Sequence, residues 1–391
     1  MKKIVCKYIM RISTESTSYF PRFSVEFANS LLRQLLSDPK DDGNIAISPS
    51  RLQTVLAILA NFTKPAVQKR ILEVIGNDVL EIDDANSLCN KDRLSVTQLD
   101  DDYPIPTIEI KTLLWMKEGL KVNQKNLDKI SADYDVVLKQ VDFTNPDTIS
   151  IIDKTIDEAT HGLVPEIQSD IQPDTQLLLT DILYFKAMWE AFNEEATTNC
   201  LFYGTRGKVK VPMMHCLDST DYCESEYYQM VRLPYMCMSE PHKHFSMRII
   251  LPKKGYSLYE ALYDIWNNEF PYDFSVEEVK LSLPRFTAES NINMKEILTN
   301  IGLGYLYEST DIIPSLVKHI QLSEIAQRVK IKVDESGTEA AALTYCCDVG
   351  CAMIDEKPQP IVMNVNRPFV FEIVEETTST VLFTGVIKNI E

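Results

Sequence analysis

Between residues 20 and 75 apolar side chains return every three or four positions, the spacing of a single helix face. Phe20, Phe23, Phe27, Leu31 and Leu35 predict a helix over 21–38. Ile45 to Ile47 is a short apolar piece. Ser48 and Pro49 then supply an N-cap and a proline at the first helical position. They predict a second helix through Leu52, Leu56 and Leu59, and a third follows over 64–75, closed by Gly76. The period then shortens to two, as in half-buried strands, over Thr107–Trp115 and Val136–Phe143. Helices are predicted between and after them, over Val122–Tyr134 and from Pro146 to His161, where Gly162 stops the second. Leu177–Trp189 is an almost unbroken apolar run, and from Lys208 nearly all the text alternates as strand. Leu258–Trp266 and Asn293–Ile301 read as helices, the latter capped by Gly302, while Val279–Phe286 and Ile325–Val333 read as strands. Residues 1–18 form a loose leader, 19–391 a single domain, and 83–103 a polar, acidic helix-and-loop stretch. Helices and strands are interspersed without a βαβ rhythm, so the class is α+β.

One stretch breaks the pattern. Beyond Val333 the chain reads D-E-S-G-T-E-A-A-A-L-T, ending at Thr344. Gly337 can adopt backbone conformations closed to other residues. Read with a period of two, Thr338, Ala340, Ala342 and Thr344 share one face, and all are small. A run of this kind can lie outside as a loop or slip into a sheet without overpacking a core. An alanine-rich helix start fits the same letters.

Two long motifs decide between these readings. Glu335, Gly337, Thr338, Glu339, Ala340, Ala341, Ala342 and Thr344 resemble the hinge of the reactive loop in the serpins, the serine-protease-inhibitor superfamily. The closing M-N-V-N-R-P-F-V-F-E-I is similar to that family's C-terminal signature, with Asn366, Arg367, Pro368 and Phe369 at its centre. S-P-S-R-L-Q-T-V-L and L-L-L-T-D-I-L-Y-F-K-A-M-W resemble the segments lining the opening point of the family's central sheet. Ser48, Asp181, Trp189 and Gln327 would belong to that region. Arg51 stands where the family usually has Ser, and Asp181 where it has Asn; a buried Asp needs a partner or a proton. The resemblance covers residues 20–390. It implies a serpin-type domain with a large central mixed sheet, two smaller sheets, eight or nine helices and an exposed reactive loop over about 336–360.

The resemblance also implies a mechanism. A protease attacks the loop as a substrate and forms an acyl-enzyme. The cut loop then inserts as a new strand and carries the protease away with its active site distorted. Counting fourteen residues from Gly337 places the reactive bond at Cys351–Ala352, with Met353 as runner-up. Counting back from the C-terminal signature points instead to Lys357, but Pro358 follows it and blocks most serine proteases. Elastase-, subtilisin- or chymotrypsin-like proteases are thus the expected partners, in a 1:1 covalent complex with a monomeric inhibitor. The alternative is a non-inhibitory member serving as carrier, chaperone or storage protein. Such members typically have bulky or charged hinges, which this chain lacks.

Composition narrows the chemistry. The formal net charge is −18 over 391 residues, which argues against nucleic-acid, heparin or anionic-membrane surfaces. No apolar run reaches the length of a membrane span. The start M-K-K-I-V-C-K-Y-I-M-R begins like a signal peptide, but Lys7 and Arg11 interrupt it. A cytoplasmic location is favoured and an extracellular one stays open. Nine scattered cysteines carry no disulfide framework. Cys216, Cys223, Cys237, His242 and His244 match no zinc spacing, and neither phosphate fingerprint occurs. Cys346, Cys347 and Cys351 lack a base held beside them. No metal, cofactor or catalytic centre is expected.

Overall fold

The computed structural model describes residues 23–36, 42–76, 81–97, 106–162, 171–236, 244–267, 273–338 and 359–390. Helix α1 (Phe23–Leu35) precedes strand β1 (Ile45–Ile47), α2 (Pro49–Phe62), α3 (Pro65–Gly76) and α4 (Ile82–Thr97). Then come β2 (Thr107–Lys117), α5 (Gln124–Tyr134), β3 (Val136–Val141), α6 (Asp147–Ala159) and β4 (Leu177–Met188). A strand-rich middle follows: β5 (Thr198–Gly204), β6 (Gly207–Glu224), β7 (Tyr228–Pro234) and β8 (Phe245–Pro252). Helix α7 (Leu258–Asn267) leads to β9 (Ser275–Pro284) and β10 (Phe286–Asn293), and two short helices, α8 (Lys295–Leu298) and α9 (Tyr305–Glu308), follow. The last strands are β11 (Glu324–Asp334), β12 (Gly337–Thr338), β13 (Ile361–Asn364), β14 (Phe369–Glu375) and β15 (Thr380–Ile387).

Two sheets carry the fold. A six-stranded mixed sheet runs β10-β11-β12-β4-β2-β3, with β11 parallel to β4 and β2 parallel to β3. The other has nine strands in the order β1-β15-β14-β8-β7-β6-β9-β13, and β5 pairs with β6 off that path. The two smaller sheets of the sequence reading are the halves of this ladder. The long β6 pairs β9 over Met213–Tyr222 and reaches β7 at Asp221–Glu224, which joins them.

Alternation builds the layers. Val329, Ile331 and Val333 of β11 and Phe185 and Ala187 of β4 point toward Met247, Ile249, Phe371 and Phe383 of the nine-stranded sheet, forming a core between the sheets. Further along the same inner face, Leu179 and Ile325 meet α2. Helix α2 is buried almost all round, as a helix inside a large core must be. On the outer face Trp115, Leu178 and Ile182 pack against Ile152 and Ile156 of α6.

Away from the hinge, the structure departs from the sequence reading in the following local places. Ser48 sits at the N-cap of α2 in an extended conformation, but its hydroxyl makes no capping bond. The strand read over 279–286 is two strands in different sheets. Pro284 ends β9, the Arg285 amide still donates to the Pro212 carbonyl of its partner β6, and from Phe286 the chain pairs with β11 in the other sheet. The helix read over 293–301 is one four-residue helix and a wide turn, and Gly302 (φ 92°) lies inside the kink instead of closing the helix.

Candidate functional site

Strands β11 and β4 are neighbours only at one end. Glu324–Gln327 pairs with Leu178–Asp181, and there the direct ladder stops. At the other end β12 stands between them: Gly337 faces Asp334 and Met188, and Thr338 faces Val333 and Ala187. Among the described residues no strand pairing joins 328–332 to 182–186 between those points. The sequence reading put 336–360 outside as an exposed loop. Its start needs correction, because Gly337 and Thr338 are already strand and Thr338 is 1% exposed. Glu339, Ala340, Ala341, Ala342, Thr344, Cys346, Cys347, Cys351, Ala352, Met353 and Lys357 lie outside the described residues.

The first hinge residues are fastened by Trp189, already expected at the sheet-opening region, and by Tyr235, Arg285 and Thr197, which the sequence reading did not single out. The Trp189 indole N–H donates to the carbonyls of Asp334 (3.1 Å) and Glu335 (2.9 Å), and its backbone amide donates to Ser336. Tyr235 stacks on Trp189 with ring centroids 5.5 Å apart. Its hydroxyl lies 2.6 Å from that of Thr338. Glu335 accepts from Arg285 Nε at 2.7 Å and from the Thr197 hydroxyl. Burial pushes the Glu335 carboxyl up, but these bonds and the Arg285 charge outweigh it and hold it below the ordinary glutamate value. Only glycine fits at 337. Its φ is +131°, and a Cβ there would stand 2.1 Å from the Ala187 carbonyl oxygen.

At the other end of the seam, Asp181 and Gln327 are register partners on the two strands. Both face α2. The Gln327 side chain accepts from the Ser48 amide and donates to the Ser48 carbonyl, each at 2.8 Å. Arg51 grips Asp181 with two bonds, Nε to Oδ2 at 2.8 Å and Nη2 to Oδ1 at 2.6 Å. Thr112 of β2 completes the group, accepting from Arg51 at 2.8 Å and donating to Asp181 at 2.6 Å. Each of the two unusual residues thus supplies what the other needs, since the partner required by a buried Asp is the Arg three residues after Ser48. Burying either charge alone would cost several kcal/mol.

Asn366, Arg367 and Pro368 form the turn between β13 and β14. Arg367 donates to the Pro252 carbonyl, and the Asn366 carbonyl accepts from the Tyr203 amide at 2.8 Å. Phe369 is wholly buried against Phe202 and Phe286. This signature ties β14 into the nine-stranded sheet, away from the seam.

The remaining candidates are dispersed. No group of three or more potential metal ligands occurs among the described residues; Cys237 and His242 lie outside them. Burial pushes the thiols of Cys216 and Cys223 up to about 11 and about 12, which keeps them protonated. His215 lies 2.9 Å from Ser282, but its other nitrogen is taken by Thr198. Hydroxyls occupy both ring nitrogens of that imidazole, so no carboxylate orients it for nucleophile activation.

A seam open along its middle and a small-residue hinge at one end are the expected parts of a sheet that accepts a strand. The family profile described as Serpin (serine protease inhibitor) matches residues 23–390. The chain belongs to the serpin family. Among curated serpins it is similar to plasminogen activator inhibitor 1 of Sus scrofa, 28% identical over 96% of this chain and 94% of the relative. It is equally identical to an uncharacterized serpin-like protein of Thermococcus kodakarensis, over 89% of this chain and 81% of the relative. Among solved serpin structures, Arabidopsis AtSerpin1 in its native stressed conformation superposes with a TM-score of 0.80 at 22% identity, over 94% of this chain and 97% of that one. Human thyroxine-binding globulin complexed with thyroxine gives 0.80 at 22% identity, over 95% and 98%. Serpins are mostly protease inhibitors, and thyroxine-binding globulin illustrates that the fold also serves other ends.

Proposed function

We propose that this serpin is a suicide-substrate inhibitor that traps a protease as a 1:1 acyl-enzyme by inserting its cleaved loop into the six-stranded sheet. The observation that carries this reading is the seam, where β12 has started a strand between β11 and β4 while no strand pairing joins their middles among the described residues. Continuing the β12 register sets Ala340 level with Phe185 and Ile331, and Ala342 level with Leu183 and Val329. Those neighbours already fill the core between the sheets. Only small inward side chains can join them without overpacking. Outward positions take Glu339 and Leu343 without that restriction. A dozen new ladder bonds at ~1 kcal/mol each would contribute on the order of 10 kcal/mol to the inserted state. That gain drives distortion of the attached protease.

The reactive bond is assigned to Cys351–Ala352, with Met353 as the alternative, and the targets to elastase-, subtilisin- or chymotrypsin-like enzymes. Incubation with a panel of these proteases, followed by denaturing gels and mass spectrometry of the released peptide, tests both claims. The expected result is a gel-stable band of serpin plus protease and a peptide beginning at Ala352. A peptide beginning elsewhere refutes the bond assignment. Cleavage by every protease with no stable complex refutes the inhibitor and leaves a carrier, chaperone or storage protein.

A further inference from the structure

A cleft of about 430 Å³ opens where the start of α7, the chain just beyond α1 and the turn between β13 and β14 come together. That is the volume of a small-molecule site. Its apolar wall is made by Leu36, Pro252, Leu258 and Pro368, with the rings of Tyr256 and Tyr259 beside them. Its charges are of one sign. Arg367 and Lys388 line it, and no Asp or Glu does so among the described residues. None of the described lining residues belongs to β4, β11 or β12, so the cleft is separate from the seam.

The acidic side chains that reach its lining residues are already engaged. Glu260 accepts from the Ser257 amide and hydroxyl at 2.8 Å each, and Glu226 accepts from the Tyr256 hydroxyl at 2.8 Å. Asp42, which feels the Lys388 charge, is gripped by Arg206 at 2.8 and 2.9 Å. Arg367 has no carboxylate among the described residues. Its Nε and Nη2 both donate to the Pro252 carbonyl. Its Nη1 donates only to the Asn364 carbonyl and the Asn366 side-chain oxygen, each at 3.4 Å. These oxygens are neutral, and 3.4 Å is longer than an ordinary N–H···O bond. The guanidinium is half-buried, and burial alone pulls it below the ordinary arginine value. A cation drawn out of water without a counter-charge is costly, and an anion in the cleft would supply one.

We infer that the cleft binds a small organic anion, its oxyanion head on Arg367 and its apolar body against Leu36, Leu258 and Tyr259. Nη1 is the corner of the guanidinium fork left for that head, since Pro252 holds the other two nitrogens. Lys388, 7% exposed, adds a second positive charge to the same wall. Tyr259 is 54% exposed, so a ring at the mouth still has area to bury against a flat ligand.

The test titrates the intact chain with 8-anilinonaphthalene-1-sulfonate, read by fluorescence. The comparison is N-phenyl-1-naphthylamine, which has the same rings without the sulfonate. Saturable binding of the sulfonate is expected, with the neutral amine roughly tenfold weaker or more. Arg367→Met keeps an apolar stem and removes the charge. It is expected to weaken the sulfonate roughly tenfold and to leave the neutral amine within about threefold. Tyr259→Ala changes an exposed position and is expected to weaken both dyes about threefold or more. If Arg367→Met does not fold, Lys388→Met takes its place, with the sulfonate expected to weaken about threefold and the amine to stay unchanged. Sulfonate binding that neither the charge variant nor Tyr259→Ala alters lies elsewhere on the chain and overturns the inference. Equal affinity for the two dyes overturns it as well, as does a wild type with no saturable binding. No protease and no loop movement enters this assay, so its outcome is independent of the inhibitor reading.

Discussion

Replacing Thr338 by arginine puts a long cation at the head of the seam. Thr338 is 1% exposed, lies opposite Ala187 and Val333, and bonds the buried Tyr235 hydroxyl at 2.6 Å. The substitution removes that bond and leaves a buried hydroxyl unpaired, at a cost of about 1–3 kcal/mol. A guanidinium inside the sheet without a carboxylate adds several kcal/mol more. Two residues of strand pairing cannot offset this, so β12 leaves the sheet in the resting state. Insertion after cleavage must then carry the penalty at its first step. Taking ~4 kcal/mol of it into the barrier slows insertion about a thousandfold. The acyl-enzyme then hydrolyses before the loop is in. Thr338→Arg is expected to be cleaved at the wild-type rate and to form almost no gel-stable complex. The assay is the ratio of complex to cleaved chain on denaturing gels across a titration with protease. An unchanged ratio refutes the assignment of Thr338 as the first inserting residue.

Three further outcomes follow from the same geometry. Gly337→Ala forces a Cβ to within 2.1 Å of the Ala187 carbonyl and a strained φ; limited proteolysis at 336–338 should become at least tenfold faster by roughly 1.4 kcal/mol or more of lost docking. The Glu335 pKa lies below its unfolded value of 4.5, so its anchoring of the hinge is complete above that pH and fades as pH falls through the lower folded value. Trp189 emission should report the loss, and Glu335→Gln should remove that transition; a Gln variant with the wild-type acid transition contradicts the assignment. Glu372 is fully buried, its carboxyl pushed up by burial despite Arg248 3.7 Å away, and its Oε2 accepts no hydrogen bond. Glu372→Gln is expected to leave stability at pH 7 unchanged or raise it by ~1 kcal/mol in urea denaturation, where a loss above 2 kcal/mol, on the order expected for a broken buried pair, would count against this view.

Much of this was readable from periodicity. Strand β11 shows as strict alternation from Ile325 because one face meets the core between the sheets, and α1 shows because one stripe of it is buried. Helix α2 was visible through Pro49 and its leucines, although it is buried all round. The hinge was suggested by four small residues at a period of two, but an alanine-rich helix start fitted them as well. Only the resemblance to the serpin hinge decided between the two, and of that hinge the structure describes Glu335, Gly337 and Thr338. The contacts that matter most were hidden because they join distant positions. Nothing local links Arg51 to Asp181, 130 residues on, and each alone looked like a misfit at its position. Arg285 and Tyr235 read as ordinary members of a strand-rich region, and only the sheet order brings them to Glu335 and Thr338. Early docking of Gly337 was equally unreadable, since the glycine signals a turn whether or not the next residue enters a sheet. The break at Pro284 could have been found, because a proline lacks the amide that a central strand must donate.

The most direct test of strand insertion is the melting temperature before and after clean cleavage of the loop within 345–357. In the inhibitor reading the intact chain is metastable, held with its seam unfilled. Cleavage frees the loop to complete the sheet, and ladder bonds worth on the order of 10 kcal/mol should raise the melting temperature by about ten degrees or more. A cleaved chain that melts at the same temperature as the intact one, or below it, contradicts the account.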